Sequence, residues 1–167
     1  MRICLSIVLV LLSLGGSVSD DELARSGKIR ENAAVRTTLQ ITIHAPVEKV
    51  WTLLTDVTNW PKWQPDISET RIAGPLESGT GFSWTIGGTH IKSRIALVQA
   101  GEQFAWTGTA YWARAIHVWK LQRLPGDQTR VSTSESMDGF LLTLFYSSKK
   151  LEQADQRWLD RLKLAAE

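Results

Sequence analysis

The chain has 167 residues, of which 43% are hydrophobic and 22% are charged, and its net charge is +2. This length fits one domain with a sizeable core, and the composition excludes a mainly disordered chain. The near-neutral charge gives no electrostatic basis for nucleic acid as the main partner. Eight tryptophans are an unusual number. They predict an aromatic-lined cavity, because indoles are large and partly polar, with an aromatic core that holds no ligand as the alternative.

Residues 1–19 have the pattern of a secretory signal peptide. Arg2 precedes an apolar run from Ile3 to Leu14, and Ser17 and Ser19 offer the small residues that a signal peptidase reads. The run is shorter than the roughly 20 residues that cross a bilayer. We therefore predict cleavage near Ser19 and export, to the periplasm or as a secreted protein, with no membrane span afterwards. An uncleaved membrane anchor is the alternative.

The first half of the mature chain predicts one strand and two short helical or turn segments. Residues 20–36 are polar without a clear period and are interpreted as a loose N-terminal arm or a frayed helix, followed by the domain proper at 37–167. Alternation over Thr37–His44 predicts a strand. Apolar residues at helical spacing predict a helix over 46–56, and a proline-bounded segment follows at 60–65.

The second half predicts a meander of strands and a long C-terminal helix. Turn signals at Gly87-Gly88 and Pro125-Gly126-Asp127 separate strand patterns, which cover 67–73, 81–86, 90–98, 103–110, 114–124 and 129–137. A helical stripe after Gly139 includes Leu141, Leu144, Leu151 and Trp158. The order predicts an α+β fold, in which a curved antiparallel sheet of about seven strands wraps round the long helix and leaves a hollow between them.

Seven short stretches follow one another in a characteristic order and spacing. They are Ala45–Trp51, Trp60–Trp63, Gly81–Trp84, Trp106–Gly108, His117–Trp119, Thr129–Val131 and Glu135–Gly139. Their order resembles the SRPBCC superfamily, in its polyketide cyclase/dehydrase branch with the START-like helix-grip fold, from about Thr38 to the C-terminus. The resemblance implies a cavity for a hydrophobic molecule such as a lipid, hormone, sterol or polyketide, and it does not choose between binding and catalysis.

Most of the predicted ligand-binding residues are aromatic. Two lie in the proline-bounded segment near the expected cavity mouth, three lie within strands, and two occupy a connection that can act as a lid. In that order they are Trp60 and Trp63; Trp84, Trp106 and Trp119; and Tyr111 and Trp112.

A histidine and a glutamate form the predicted polar pair. A turn centred on Gly126 places His117 opposite Glu135, and cross-strand neighbours have Cβ atoms about 4.5–5.5 Å apart. In an enzyme His117 would act as the general acid/base, Glu135 would orient it, and Thr133 would hold a substrate oxygen. The alternative is a structural polar pair that fixes the register of the sheet.

The favoured function is an exported single-domain protein that binds a hydrophobic small molecule or lipid, and the alternative is a cyclase/dehydratase-type enzyme that uses His117 and Glu135. No cofactor is expected, since the sequence has neither G-x-G-x-x-G nor a Walker A pattern. No metal site is expected either, because the three histidines lack metal-ligand spacing and the mature chain has no cysteine partner for them. The sequence leaves the oligomeric state open.

Overall fold

The computed structural model describes residues 18–167, so the predicted signal peptide lies outside the described residues except for Val18 and Ser19. Seven antiparallel strands form one curved sheet in the order β1-β7-β6-β5-β4-β3-β2. The strands are β1 (Val35–Ile43), β2 (Ile67–Ile72), β3 (Gly81–Ile86), β4 (Thr89–Gln99), β5 (Gln103–Ala110), β6 (Ala113–Leu124) and β7 (Gln128–Gly139).

Five helices accompany the sheet. The longest, α5, packs against β1 and against the helices that follow β1. This arrangement confirms the predicted helix-grip fold, including the two short helices after the first strand. None of the helices in residues 18–167 is long and apolar enough to cross a membrane. The helices are α1 (Asp20–Arg25), α2 (Val47–Thr55), α3 (Trp60–Trp63), α4 (Leu142–Phe145) and α5 (Ser148–Ala166), with a 3-10 turn at Val57–Asn59.

Two turns fix the register of the meander. Gly87 and Gly88 both have positive φ, as a two-residue hairpin requires, and Ile86 pairs with Thr89. In the β6–β7 turn Gly126 also has positive φ, and Leu124 pairs with Gln128. The predicted pairing of His117 with Glu135 follows from that turn and is confirmed.

The main core lies between α5 and the sheet. Trp60 is fully buried at its centre, and its ring contacts those of Phe82, Trp84, Trp106 and Trp158 at centroid distances of 5.1–5.8 Å. The Trp60 indole N–H donates to the backbone carbonyl of Leu54 at 2.9 Å, so this large ring is buried without an unpaired donor. The same face of α5 buries Trp158, Leu159 and Leu162.

The predicted long helix after Gly139 is interrupted. Leu141 adopts a left-handed φ of 60°, α4 ends after Phe145, and Tyr146 is extended. The Ser147 hydroxyl then caps α5 by accepting a hydrogen bond from the backbone N–H of Lys150 at 3.3 Å. Leu141 and Leu144 are consequently exposed rather than packed in the core, whereas Leu151 and Trp158 are buried as predicted.

Residues 20–36 are packed, not the loose arm that the sequence suggests. Ala24 of α1 and Ile29 cover a second apolar cluster on the other face of the sheet, which includes Ile116 and Val118. The Asp20 carboxylate pairs with the guanidinium groups of Arg30 and Arg114. The segment lacks an obvious period because only a few of its side chains, among them Ala24 and Ile29, carry its packing.

Candidate functional site

A cavity of about 460 Å³ lies among α4, α5 and strands β3–β7. Its volume falls within the roughly 300–1,000 Å³ that small-molecule sites occupy. Most of the wall is aliphatic or aromatic, and a small set of polar groups interrupts it. The apolar and aromatic lining includes Trp84, Ile86, Ile91, Ala110, Tyr111, Trp112, Ala113, Met137, Leu142, Phe145, Tyr146, Leu151, Ala154 and Trp158; the polar lining is Thr89, His117, Glu135, Asp155 and Arg157.

Three polar residues from three elements meet on the cavity wall. His117 of β6 lies opposite Glu135 of β7, and α5 brings Asp155 to the same place. One imidazole nitrogen of His117 and one carboxyl oxygen from each of Glu135 and Asp155 lie within 4.8 Å of one another. The His117 Nδ1 to Glu135 Oε2 distance is 3.5 Å. On the other side of the ring, His117 Nε2 and the Thr133 hydroxyl form a hydrogen bond of 2.7 Å.

Aromatic neighbours exclude water from His117. The imidazole stacks on Trp119, with centroids 5.2 Å apart, and Trp106 lies 4.6 Å away in a tilted arrangement. Burial therefore lowers the pKa of His117 to about 3, because the charged imidazolium would lose its hydration. The ring is neutral near pH 7.

The two carboxyl groups are shifted in the opposite direction. Burial, followed by the charge and hydrogen bond of Asp155, raises the pKa of Glu135 well above its usual range. Burial also raises the pKa of Asp155 to about 7. Close carboxyl groups resist simultaneous ionisation, so the Glu135–Asp155 pair retains a proton to higher pH than either isolated carboxyl group would, and that proton can be donated in a hydrogen bond. Because His117 is neutral, its contact with Glu135 is not an ion pair.

Tyr146 stands beside this cluster on the cavity wall. Burial is the main cause that raises the pKa of its phenol to about 12, and the charges of Glu135 and Asp155 add to the effect. The phenol is thus a neutral hydroxyl at physiological pH. It gives the cavity a further group that can both donate and accept a hydrogen bond.

The structure brings five of the sequence-predicted site residues onto the cavity wall and leaves five elsewhere. Trp84, Tyr111, Trp112, His117 and Glu135 line the cavity. Trp60, Trp106 and Trp119 are buried in the packed core, Trp63 packs against that core, and Thr133 lies behind His117 as its hydrogen-bond partner. The aromatic cavity is therefore smaller than the tryptophan count suggests, because α3 and α5 fill the neighbouring space with indole rings.

Sequence reasoning missed Asp155, the third member of the polar cluster. A signal for it exists in the sequence, since Asp155 lies between Leu151 and Trp158 on the apolar stripe of the last helix. An acidic residue at such a position is rarely left without a role. The break between α4 and α5 was also missed, and Leu142 and Phe145 of α4 complete the wall near Tyr146.

A second and larger groove, of about 980 Å³, lies between α2 and strands β5, β6 and β7. Its walls carry charged side chains such as Glu48, Lys120 and Arg123, and the last pairs with Glu48 across it. None of the sequence-predicted site residues lines this groove. An open, charged surface suits an apolar ligand poorly, so the cavity beside α5 is the better candidate site.

Comparison with known proteins identifies the family. The family model described as polyketide cyclase / dehydrase and lipid transport matches residues 34–167. None of the curated proteins matches the chain.

Solved structures share the fold at low sequence identity. A hypothetical protein from Helicobacter pylori superposes with a TM-score of 0.73 at 20% identity, over 82% of this chain and 90% of that chain. A START superfamily protein from Mycobacterium smegmatis gives 0.68 at 12% identity, over 78% and 96% of the two chains. A norcoclaurine synthase point mutant from Thalictrum flavum, in complex with a transition-state analogue, gives 0.60 at 12% identity, over 78% and 92%. These likenesses show the fold alone.

Proposed function

The chain belongs to the polyketide cyclase / dehydrase and lipid transport family, and we propose that it binds an amphipathic small molecule or lipid in the cavity beside α5. The observation that carries this proposal is the composition of the wall, which is apolar over most of its area and polar at one place. Burying an apolar surface contributes roughly 25 cal/mol per Å². The aliphatic and aromatic wall thus supplies affinity, and the polar cluster supplies orientation.

The polar cluster selects the kind of head group. Near pH 7 the neutral His117 imidazole can accept or donate a hydrogen bond, and the proton retained by the Glu135–Asp155 pair makes that pair a donor. A carbonyl or hydroxyl oxygen on the ligand can therefore be hydrogen-bonded here. Ligands with such a head group and an apolar body fit better than pure hydrocarbons.

Titration of the protein with a fluorescent fatty alcohol tests this proposal. The affinities of two variants, each with a tryptophan substituted on α5, are compared. Ala154 lines the cavity, whereas the neighbouring Gln153 is exposed and does not. We expect Ala154→Trp to fill the space and weaken binding at least about tenfold, equivalent to about 1.4 kcal/mol. The matched Gln153→Trp variant should bind as the unaltered protein does.

Circular dichroism and thermal unfolding establish that both variants are folded. Equal affinity in the two folded variants would contradict binding in this cavity. Absence of binding by the unaltered protein, to both the fatty alcohol and a fatty acid probe, would remove the proposal for these ligand classes.

The cyclase/dehydratase-type activity remains a second candidate, supported by the presence of three ionisable side chains on the cavity wall. The cluster of His117, Glu135 and Asp155 places a proton donor and acceptors beside bound ligand. Conversion of a ligand extracted from the host protein, followed by mass spectrometry, tests it. Loss of conversion in Glu135→Gln with retained binding would support catalysis.

We also propose that the protein is exported after cleavage near Ser19. The support is the apolar run and small residues of the sequence. Asp20, which would become the first residue, carries the ion pairs to Arg30 and Arg114, so cleavage at this site retains those contacts. N-terminal sequencing of the host protein should begin near Asp20, and an intact Met1 would contradict cleavage.

A further inference from the structure

The separation of His117 from Glu135 matches that between two ligands of one metal ion, and Asp155 lies close to both. His117 Nδ1 and Glu135 Oε2 are 3.5 Å apart. A carboxyl oxygen of Asp155 lies within 4.8 Å of a potential metal-ligating atom of each of these two side chains. Two nitrogen or oxygen ligands at 2.0–2.1 Å from a tetrahedral zinc ion are about 3.4 Å apart. The 3.5 Å contact is long for a hydrogen bond between these groups, but it has the length of an edge of a zinc coordination tetrahedron.

The hydrogen bond behind the imidazole orients it as a ligand. Thr133 is fully buried, and its hydroxyl holds His117 Nε2 at 2.7 Å. When Nε2 carries the proton, the lone pair of Nδ1 points toward the carboxyl groups. Metal-binding histidines are commonly fixed through their other ring nitrogen in this way, which sets both the tautomer and the ring orientation.

Asp155 supplies an independent indication of a ligand. The residue is only 2% exposed, and apart from the contact with the Glu135 carboxyl group its Oδ2 atom is buried without a hydrogen-bond donor in the described part of the chain. Leaving a buried polar atom unpaired costs about 1–3 kcal/mol. The carboxyl belongs to the cavity wall and adjoins Glu135, so the atom is placed where a bound cation would satisfy it.

We propose that His117, Glu135 and Asp155 form a binding site for a divalent transition-metal ion of the zinc type, with a fourth coordination position open to the cavity. Metal binding displaces the proton that the carboxyl pair retains, and the two carboxylates with one divalent cation then sum to zero charge, which a buried site favours. The imidazole nitrogen favours zinc and its neighbours in the transition series over magnesium and calcium, which prefer oxygen ligands in higher number. The site does not require the hydrophobic ligand, and each can be tested without the other.

The ligands come from β6, β7 and α5, at positions 117, 135 and 155. This separation explains why the sequence contains no recognisable metal motif. The open position would accept an oxygen of a cavity-bound molecule or water. Metal binding therefore adds an electrophilic centre to a site otherwise defined by apolar contact.

Calorimetric titration of the chelator-treated mature protein with zinc chloride tests the proposal. We expect one zinc ion per chain and no comparable binding of magnesium or calcium. Cobalt should give the intense visible absorption of a four-coordinate site. Asp155→Asn and Glu135→Gln keep the side-chain shape, and each should lower zinc affinity at least about tenfold, or about 1.4 kcal/mol.

Two control variants separate this site from surface binding. His44 is exposed beside Glu167, and Asp160 is an exposed carboxylate on α5; His44→Gln and Asp160→Asn should leave zinc affinity unchanged. No zinc binding by the unaltered protein would overturn the proposal. Loss of zinc affinity in His44→Gln would overturn it as well, and so would unchanged zinc affinity in folded Asp155→Asn and Glu135→Gln.

If these two variants do not fold, the cobalt spectrum of the unaltered protein decides, and absence of four-coordinate bands overturns the site. Fatty alcohol affinity of the metal-free protein reports separately on the cavity.

Discussion

At the scale of single residues, the hydrogen bond between Thr133 and His117 joins the packing of the sheet to the candidate site. Thr133 contributes no wall to the cavity, yet its hydroxyl is the 2.7 Å partner of the buried imidazole. Trp106 and Trp119 likewise act on the site indirectly, since their rings pack around His117 and deprive it of water. Residues that do not line the cavity can thus determine the orientation and the protonation state of a residue that does.

Replacing Thr133 by valine tests this dependence. Thr133→Val keeps the shape of the side chain but leaves a buried imidazole nitrogen without its partner, and we expect a loss of about 1–3 kcal/mol in the free energy of unfolding. Urea denaturation followed by circular dichroism measures it. Thr38→Val, at an exposed position of β1, is the control and should change stability by no more than about 0.5 kcal/mol. Similar values for the two variants would show that the Thr133 hydrogen bond contributes little.

At the scale of elements, α5 packs against the sheet through one apolar face. Leu159 is fully buried against the core, whereas Leu164 on the same helix is 72% exposed. The two leucines therefore provide matched substitutions in one element, which differ in burial and not in chemistry.

We expect Leu159→Ala to lower the free energy of unfolding by about 2–5 kcal/mol, because it removes apolar contact and leaves a cavity. Leu164→Ala should change it by about 0.5 kcal/mol or less. Thermal and urea unfolding of both variants provide the comparison. Equal losses would contradict the packing of α5 against the sheet.

The elements also show how far sequence could predict the site. The pairing of His117 with Glu135 was predictable because the Gly126 turn fixes a register with period two. The break at Leu141–Ser147 was not, because it depends on a left-handed leucine that no local preference favours. To predict that Asp155 reaches the site, one must know how α5 is rotated about its axis. The helical stripe constrains this rotation, but packing against the sheet determines it.

At the scale of the whole molecule, the two faces of the sheet have different roles. The segment at residues 20–36 closes one face through Ala24 and Ile29, and α5 closes the other. The second closure leaves the candidate cavity, at the end where α4 replaces the expected continuation of the long helix. The interruption of that helix is therefore part of the reason that the cavity exists, since Leu142 and Phe145 belong to its wall.

Native mass spectrometry of the protein purified from its own host tests whether the cavity holds an amphipathic ligand. We expect the unaltered protein and Gln153→Trp to carry an added mass, which organic extraction releases as an apolar molecule with a polar head group. Folded Ala154→Trp should lack it, because the new indole occupies the ligand's space. An unaltered protein without added mass, or the same ligand retained by Ala154→Trp, would contradict ligand binding in this cavity.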